Sequence, residues 1–345
     1  MIRPDLANIP PYVPGKSGAK DSEPPLKLSS NESAFGPLPS VSTAIAAAGD
    51  NANRYPDIAS TQLREKLAEQ LGVEFNQVIT GTGSSALCQQ LVQITCLPGD
   101  EVVFPWRSFE AYPIFAQVVG ATPRPIPLLD DGRHDLDSML AAINDRTRLI
   151  FLCSPNNPTG ATLTRAEFDD FVSKVPNDII IALDEAYIEF NRDPEAVVGT
   201  DIVGAHDNVV CLRTFSKAYG LAGLRVGYAY GPEKIIDALG RVAIPFSVSA
   251  VAQAAAIASL EARDELLART EPTVAVRDKV ADHIGAARSQ ANFVWIPGDN
   301  SAEIAVALAE QNVLVRAFPE GTRITVTDET DAEHFLEAWD KAGLQ

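Results

Sequence analysis

Between residues 77 and 212 the chain alternates short, almost wholly apolar runs with stretches of helical periodicity. The runs are Gln77-Val78-Ile79-Thr80, Glu101-Val102-Val103-Phe104-Pro105, Arg148-Leu149-Ile150-Phe151-Leu152-Cys153, Ile179-Ile180-Ile181-Ala182-Leu183 and Val209-Val210-Cys211-Leu212. A strand apolar on both faces must be covered on both, which is the condition of a parallel sheet packed between helices. The fold class read from this pattern is α/β, a three-layer, mainly parallel sheet. In such sheets ligands bind beyond the carboxyl ends of the strands. The polar and aromatic groups that follow the runs, Ser84/Ser85, Phe109, Asn157, Asp184 and Lys217, are therefore expected in one layer.

Lys217 stands out within that layer. Val209–Leu212 leads into Thr214-Phe215-Ser216-Lys217, glycines follow at 220, 223 and 227, and Arg225 enters a second apolar run. A lysine placed there is half-buried, and burial lowers its pKa. A neutral amine is the nucleophile that forms Schiff bases with carbonyls. Thr214, Ser216 and Arg225 supply two hydroxyls and a bidentate cation suited to a phosphate. The turn Gly81-Thr82-Gly83-Ser84-Ser85, followed by a helix expected over 86–94, adds free backbone N–H groups and a second anion-binding element. A phosphate beside an imine-forming lysine points to pyridoxal phosphate (PLP).

Composition removes other classes of function. The formal charge of −18 over 345 residues argues against nucleic acid and anionic membrane partners. No stretch reaches the roughly 20 apolar residues of a membrane span. No apolar signal core opens the chain, so a cytoplasmic protein is expected. Cys88, Cys96, Cys153 and Cys211 lie mostly in apolar segments without a C-x-x-C pair, so neither a metal site nor a disulfide framework is indicated. Gly81–Ala86 also spells G-x-G-x-x-A, but no second nucleotide-binding half follows, and no lysine completes a P-loop.

PLP needs particular partners. A carboxylate must keep the pyridine nitrogen protonated, and Asp184 is the candidate. Asn157 and Tyr187 suit the phenolic oxygen, Phe109 the ring face, and the amides of Ser84 and Ser85 the phosphate. Ser154-Pro155-Asn156-Asn157-Pro158-Thr159-Gly160, Asp184-Glu185-Ala186-Tyr187 and Thr214-Phe215-Ser216-Lys217, followed by Arg225 and Arg323, resemble the fold type I PLP-dependent aminotransferases over nearly the whole chain. The segments around Tyr12, Asn31, Tyr55 and Arg323 are most similar to the histidinol-phosphate aminotransferase-like subgroup, which includes aromatic amino acid aminotransferases. The resemblance implies transamination, with Lys217 as proton carrier and Arg323 on the substrate α-carboxylate. Tyr12, Asn31 and Arg316 are expected near the substrate. Tyr55 is expected to reach the PLP phosphate of the other subunit of a homodimer with shared sites. Thr327 and Ser85 depart from the family pattern, which usually has glycine and an acidic residue there.

The expected organisation is an N-terminal arm at 1–28, a large PLP-binding domain at 29–231 and a small α+β domain at 232–345 that the arm joins. Within the small domain, a two-residue loop at Glu320-Gly321 would set Phe318 opposite Arg323, with Arg316 on the face of Arg323. Two guanidinium groups there could grip a doubly anionic substrate, which favours histidinol phosphate. The aromatic mouth formed by Tyr12, Trp106, Phe109 and Phe318 favours aromatic amino acids, and Arg316 could instead pair with a carboxylate. The reading adopted is aromatic amino acid transamination, with histidinol-phosphate transamination as the alternative.

Overall fold

In a computed structural model, which describes residues 2–15 and 24–344, the apolar runs form one seven-stranded sheet. Residues 16–23 of the expected arm lie outside the described set. The strands are β2 (Val78–Gly81), β3 (Glu101–Trp106), β4 (Thr122–Pro127), β5 (Thr147–Cys153), β6 (Ile180–Asp184), β7 (Val209–Thr214) and β8 (Gly227–Tyr230), after a short β1 (Leu26–Lys27). Their order is β2-β8-β7-β6-β5-β3-β4, and β8 alone is reversed relative to the other six. Because β8 is reversed, its first residue lies level with the last residues of β2 and β7: Gly227 pairs with both Gly81 and Thr214.

Alternate side chains along the central strands enter two different cores. Ile150, Leu152, Ile181, Leu183, Val209 and Cys211 belong to one. Leu149, Phe151, Cys153, Ala182, Val210 and Leu212 belong to the other. This alternation is why the runs had to be apolar throughout, each fully buried Leu, Ile or Phe contributing about 1.5–3 kcal/mol. It also fixes the face of Asp184: two residues after Ala182, it projects toward the core that holds Tyr112 and Cys153.

A third core, with Leu28, Val294, Leu308, Ile324, Phe335 and Trp339, packs beneath a three-stranded antiparallel sheet of β11 (Arg316–Phe318), β12 (Gly321–Thr325) and β9 (Phe293–Pro297), in that order. Strand β1 pairs in parallel with β10 (Val313–Leu314), so the end of the arm is tied to this region. The helix Ala250–Glu261 instead contributes Ala252, Ala255 and Ala256 to the core of the large sheet.

The hairpin register differs by two residues from the expected one. Arg316 stands directly opposite Arg323 and Phe318 opposite Gly321, which leaves Pro319-Glu320 as the loop. Proline is preset for the first central position of a β-turn and has no N–H to give a ladder. A shift of two preserves the face, so both arginines still lie on one side of the sheet.

Candidate active site

The carboxyl ends of β2, β3, β5, β6 and β7 open on a cavity of about 600 Å³, closed on the far side by the β11–β12 hairpin and the arm. Tyr12, Asn31, Ser84, Ser85, Phe109, Asn157, Asp184, Tyr187, Thr214, Ser216, Lys217, Arg225, Arg316 and Arg323 all line it. Tyr55 does not. It is 82% exposed and stacks on Phe246, with ring centroids 4.6 Å apart.

The anion cup is built by crowding. The helix Gly83–Thr95 starts three residues before the expected 86, which puts Ser84 and Ser85 in its first turn, where backbone N–H groups lack intrahelical partners. Gly83 has φ +75°, and a Cβ there would sit 2.5 Å from Nη2 of Arg225. A Cβ on Gly227 would fall 2.5 Å from the Ser84 nitrogen. Only glycines let the guanidinium and β8 come this close to the turn. Arg225 Nη1 donates to Ser216 Oγ at 3.2 Å, and the Ser216 N–H donates to Thr214 Oγ1 at 3.1 Å.

Lys217 lies beside this cup. Its Nζ donates to the carbonyls of Asn31 at 3.2 Å and Ser30 at 3.4 Å, and no carboxylate among the described residues pairs with it. Burial and the nearby guanidinium of Arg323 bring its pKa down to about 7. Both charged neighbours that lower it, Arg323 and Arg225, line the same cavity.

Asp184 is buried, and burial raises its carboxyl to about 6. Its Oδ2 accepts from the Tyr112 hydroxyl at 2.7 Å, while Oδ1 is buried with no partner. An orphaned buried carboxylate oxygen is costly unless a donor arrives. Tyr112, to which the sequence assigns no role, stacks on Phe151 at 4.3 Å and meets Phe109 edge-on at 5.4 Å. Its signal was weak because its helix, Ala111–Val118, is only eight residues long and carries Pro113.

Asn31, at φ +53°, joins the two halves. Its Nδ2 donates to Tyr187 Oη at 2.9 Å, and its Oδ1 accepts from Thr325 Oγ1 at 3.0 Å. Arg323 donates from Nη1 to Asn157 Oδ1 at 2.5 Å and from Nη2 to the Ser29 carbonyl at 2.9 Å, while its buried Nε has no partner. No ion pair engages it among the described residues, so a buried cation faces the cavity uncompensated. Arg316 is different: Nη2 pairs with Glu110 Oε2 at 2.7 Å, and its guanidinium also donates to the carbonyls of Val13 and Pro14. This ties Tyr12 over the opening, 6.5 Å from the Phe109 ring.

These residues fit PLP on structural grounds. Asp184 Oδ1 lacks the donor that a pyridinium N–H supplies, the cup offers hydroxyls, amides and Arg225 to a phosphate, and Lys217 is an amine with a depressed pKa. Among the described residues no cluster of His, Cys, Asp and Glu could hold a metal, and no helix is long and apolar enough to cross a membrane.

Comparison with known proteins agrees with this geometry. Residues 23–338 match the family model for aminotransferase class I and II. The aromatic amino acid aminotransferase of Corynebacterium glutamicum is 60% identical over 340 residues, covering 99% of this chain and 98% of that protein. That of Rhodococcus jostii is 54% identical over 343 residues, covering 97% and 94%. The crystal structure of histidinol-phosphate aminotransferase from Sinorhizobium meliloti, in complex with pyridoxal-5'-phosphate, superposes with a TM-score of 0.85 at 29% identity over 92% of this chain and 90% of that one. The chain belongs to the class I and II aminotransferases, a PLP-dependent family of fold type I.

Proposed function

We propose that this protein transfers amino groups between aromatic amino acids and 2-oxo acids at the cavity around Lys217. The observation that carries the choice of substrate is the Arg316–Glu110 pair at 2.7 Å, which leaves Arg323 as the uncompensated guanidinium at the hairpin. One free cation matches one α-carboxylate, and the walls formed by Tyr12, Phe109 and Phe115 match an apolar ring. Each Å² of apolar substrate surface buried there contributes about 25 cal/mol. The names of the C. glutamicum and R. jostii relatives support the same reading.

When bound, PLP supplies a carbonyl carbon for the amine and a ring that withdraws electrons from the substrate Cα. Asp184 Oδ1 would hold the ring nitrogen, Tyr187 and the amide of Asn157 the phenolic oxygen, and Phe109 one ring face. Ser84, Ser85, Thr214, Ser216 and Arg225 would hold the phosphate. Arg323 binds the carboxylate and orients the Cα–H bond toward Lys217. Lys217, neutral in good part near pH 7, would take that proton and return it to the carbonyl carbon that PLP supplies.

A homodimer is part of the proposal. Tyr55, Ile58, Ile244 and Phe246 are exposed apolar side chains, and the Tyr55–Phe246 stack forms a platform that a second copy would cover, carrying Tyr55 to the partner's phosphate. Four free, buried cysteines suit the cytoplasm. The division into an arm, a large domain and a small domain near residue 232 draws support from the separate core of Leu28, Val294 and Trp339.

Histidinol phosphate is the second reading, favoured by Arg316 standing opposite Arg323. The test is kcat/KM for phenylalanine and histidinol phosphate with a common 2-oxo acid. The proposal expects phenylalanine to be preferred. A preference for histidinol phosphate above about tenfold, roughly 1.4 kcal/mol, overturns it.

A further inference from the structure

Arg316 and Arg323 are a directly opposed pair on antiparallel strands β11 and β12, so their side chains leave the same face toward the same end of the cavity. Left to themselves they would present two positive charges to whatever sits between Lys217 and the hairpin. Glu110 changes that total. Its Oε2 lies 2.7 Å from Arg316 Nη2, with the two side chains 26% and 11% exposed, so solvent screens the pair only in part. The other two acceptors on Arg316, the carbonyls of Val13 at 2.7 Å and Pro14 at 2.9 Å, are uncharged and neutralise nothing. Arg323 has only the amide oxygen of Asn157 and the Ser29 carbonyl.

Building on the proposed function, we infer that Glu110 is a specificity-determining residue. It sets the anion-binding end of the cavity to the charge of one guanidinium, and so selects donors bearing a carboxylate over donors bearing a phosphate monoester. A carboxylate carries one negative charge at neutral pH, whereas a phosphate monoester, with a second pKa near about 6, carries close to two. Glu110 acts against the dianion twice, by occupying the second guanidinium and by repelling the extra charge. It directly follows Phe109, so the segment that places an aromatic wall also places this carboxylate. The identity of the carboxylate that Arg316 takes has no local signal, because Glu110 and Arg316 are separated by 206 positions.

The test uses the PLP-loaded enzyme and compares kcat/KM for histidinol phosphate and phenylalanine with one 2-oxo acid. Glu110→Gln keeps the size of the side chain and removes its charge. The ratio of histidinol phosphate to phenylalanine should rise at least tenfold in this variant, and also in Glu110→Ala. In Glu110→Gln/Arg316→Ala the rise should disappear, because no second guanidinium remains to be released. Any loosening of the arm affects both donors and cancels in the ratio. A ratio within threefold of wild type in both single variants overturns the inference, as does a rise that survives in the double variant. If wild type prefers phenylalanine and the ratio does not move, the role of Glu110 fails while the aromatic reading stands. A wild-type preference for histidinol phosphate above about tenfold removes both.

Discussion

An ordinary lysine with a pKa of 10.5 is neutral at pH 7 in about one molecule in 3,000, whereas Lys217, brought down to about 7, is neutral in about half. The difference is a roughly 1,500-fold gain in nucleophilic amine at neutral pH. Burial comes first among its causes and the Arg323 guanidinium second. Acylation of Lys217 in the apo chain, followed by peptide mass spectrometry from about pH 5 to about pH 10, measures the neutral fraction directly. The rate should level off with a midpoint near 7, and Arg323→Gln should move that midpoint upward. A wild-type midpoint near 10.5, or a variant midpoint that does not rise, refutes the reasoning. The linked effect on stability has a definite sign. Between about pH 7 and 10.5 the unfolded chain holds more protons on this lysine than the folded one, so its contribution to apo-protein stability rises with pH across that window.

Two further outcomes follow from the same geometry and a third from the proposed homodimer. Asp184→Asn keeps an acceptor for Tyr112 but cannot hold a protonated ring nitrogen. Loss of a buried charge partner costs about 3–5 kcal/mol, so kcat should fall at least about a hundredfold, and a loss under tenfold would sink the assignment. Arg323→Lys replaces a fork by a point charge and should lower kcat/KM for phenylalanine by roughly 10- to 100-fold, read by steady-state kinetics with the PLP-loaded enzyme. In the proposed homodimer, Tyr55→Phe would remove a phenol-to-phosphate bond worth roughly 1.5–3 kcal/mol and should weaken PLP retention on dialysis, whereas a fully active monomer by light scattering would contradict the proposal.

The parallel sheet was legible because its central strands are apolar on both faces, a demand made by two cores at once. Strand β4 was not, because Thr122-Pro123-Arg124-Pro125-Ile126-Pro127 carries three prolines in six residues. It is tolerated only because it lies at the sheet edge beside β3. Lys217 and Asp184 could be found from the strand ends they occupy, since their chemistry depends on local position. Tyr112, Glu110 and the exact hairpin register depend on partners far away in the chain, such as Asp184 for Tyr112 at 2.7 Å, and no local pattern encodes such a pairing. Arg316 does pair with a carboxylate, and the partner is Glu110.

The most direct test of the account is chemical trapping of the cofactor. The chain is incubated with PLP, reduced with borohydride, digested and sequenced by mass spectrometry. The account requires one phosphopyridoxyl group per chain, on the peptide carrying Lys217, and none at that position in Lys217→Ala, which should have lost transamination. A label carried stoichiometrically by another lysine, or wild-type turnover in Lys217→Ala, would contradict it.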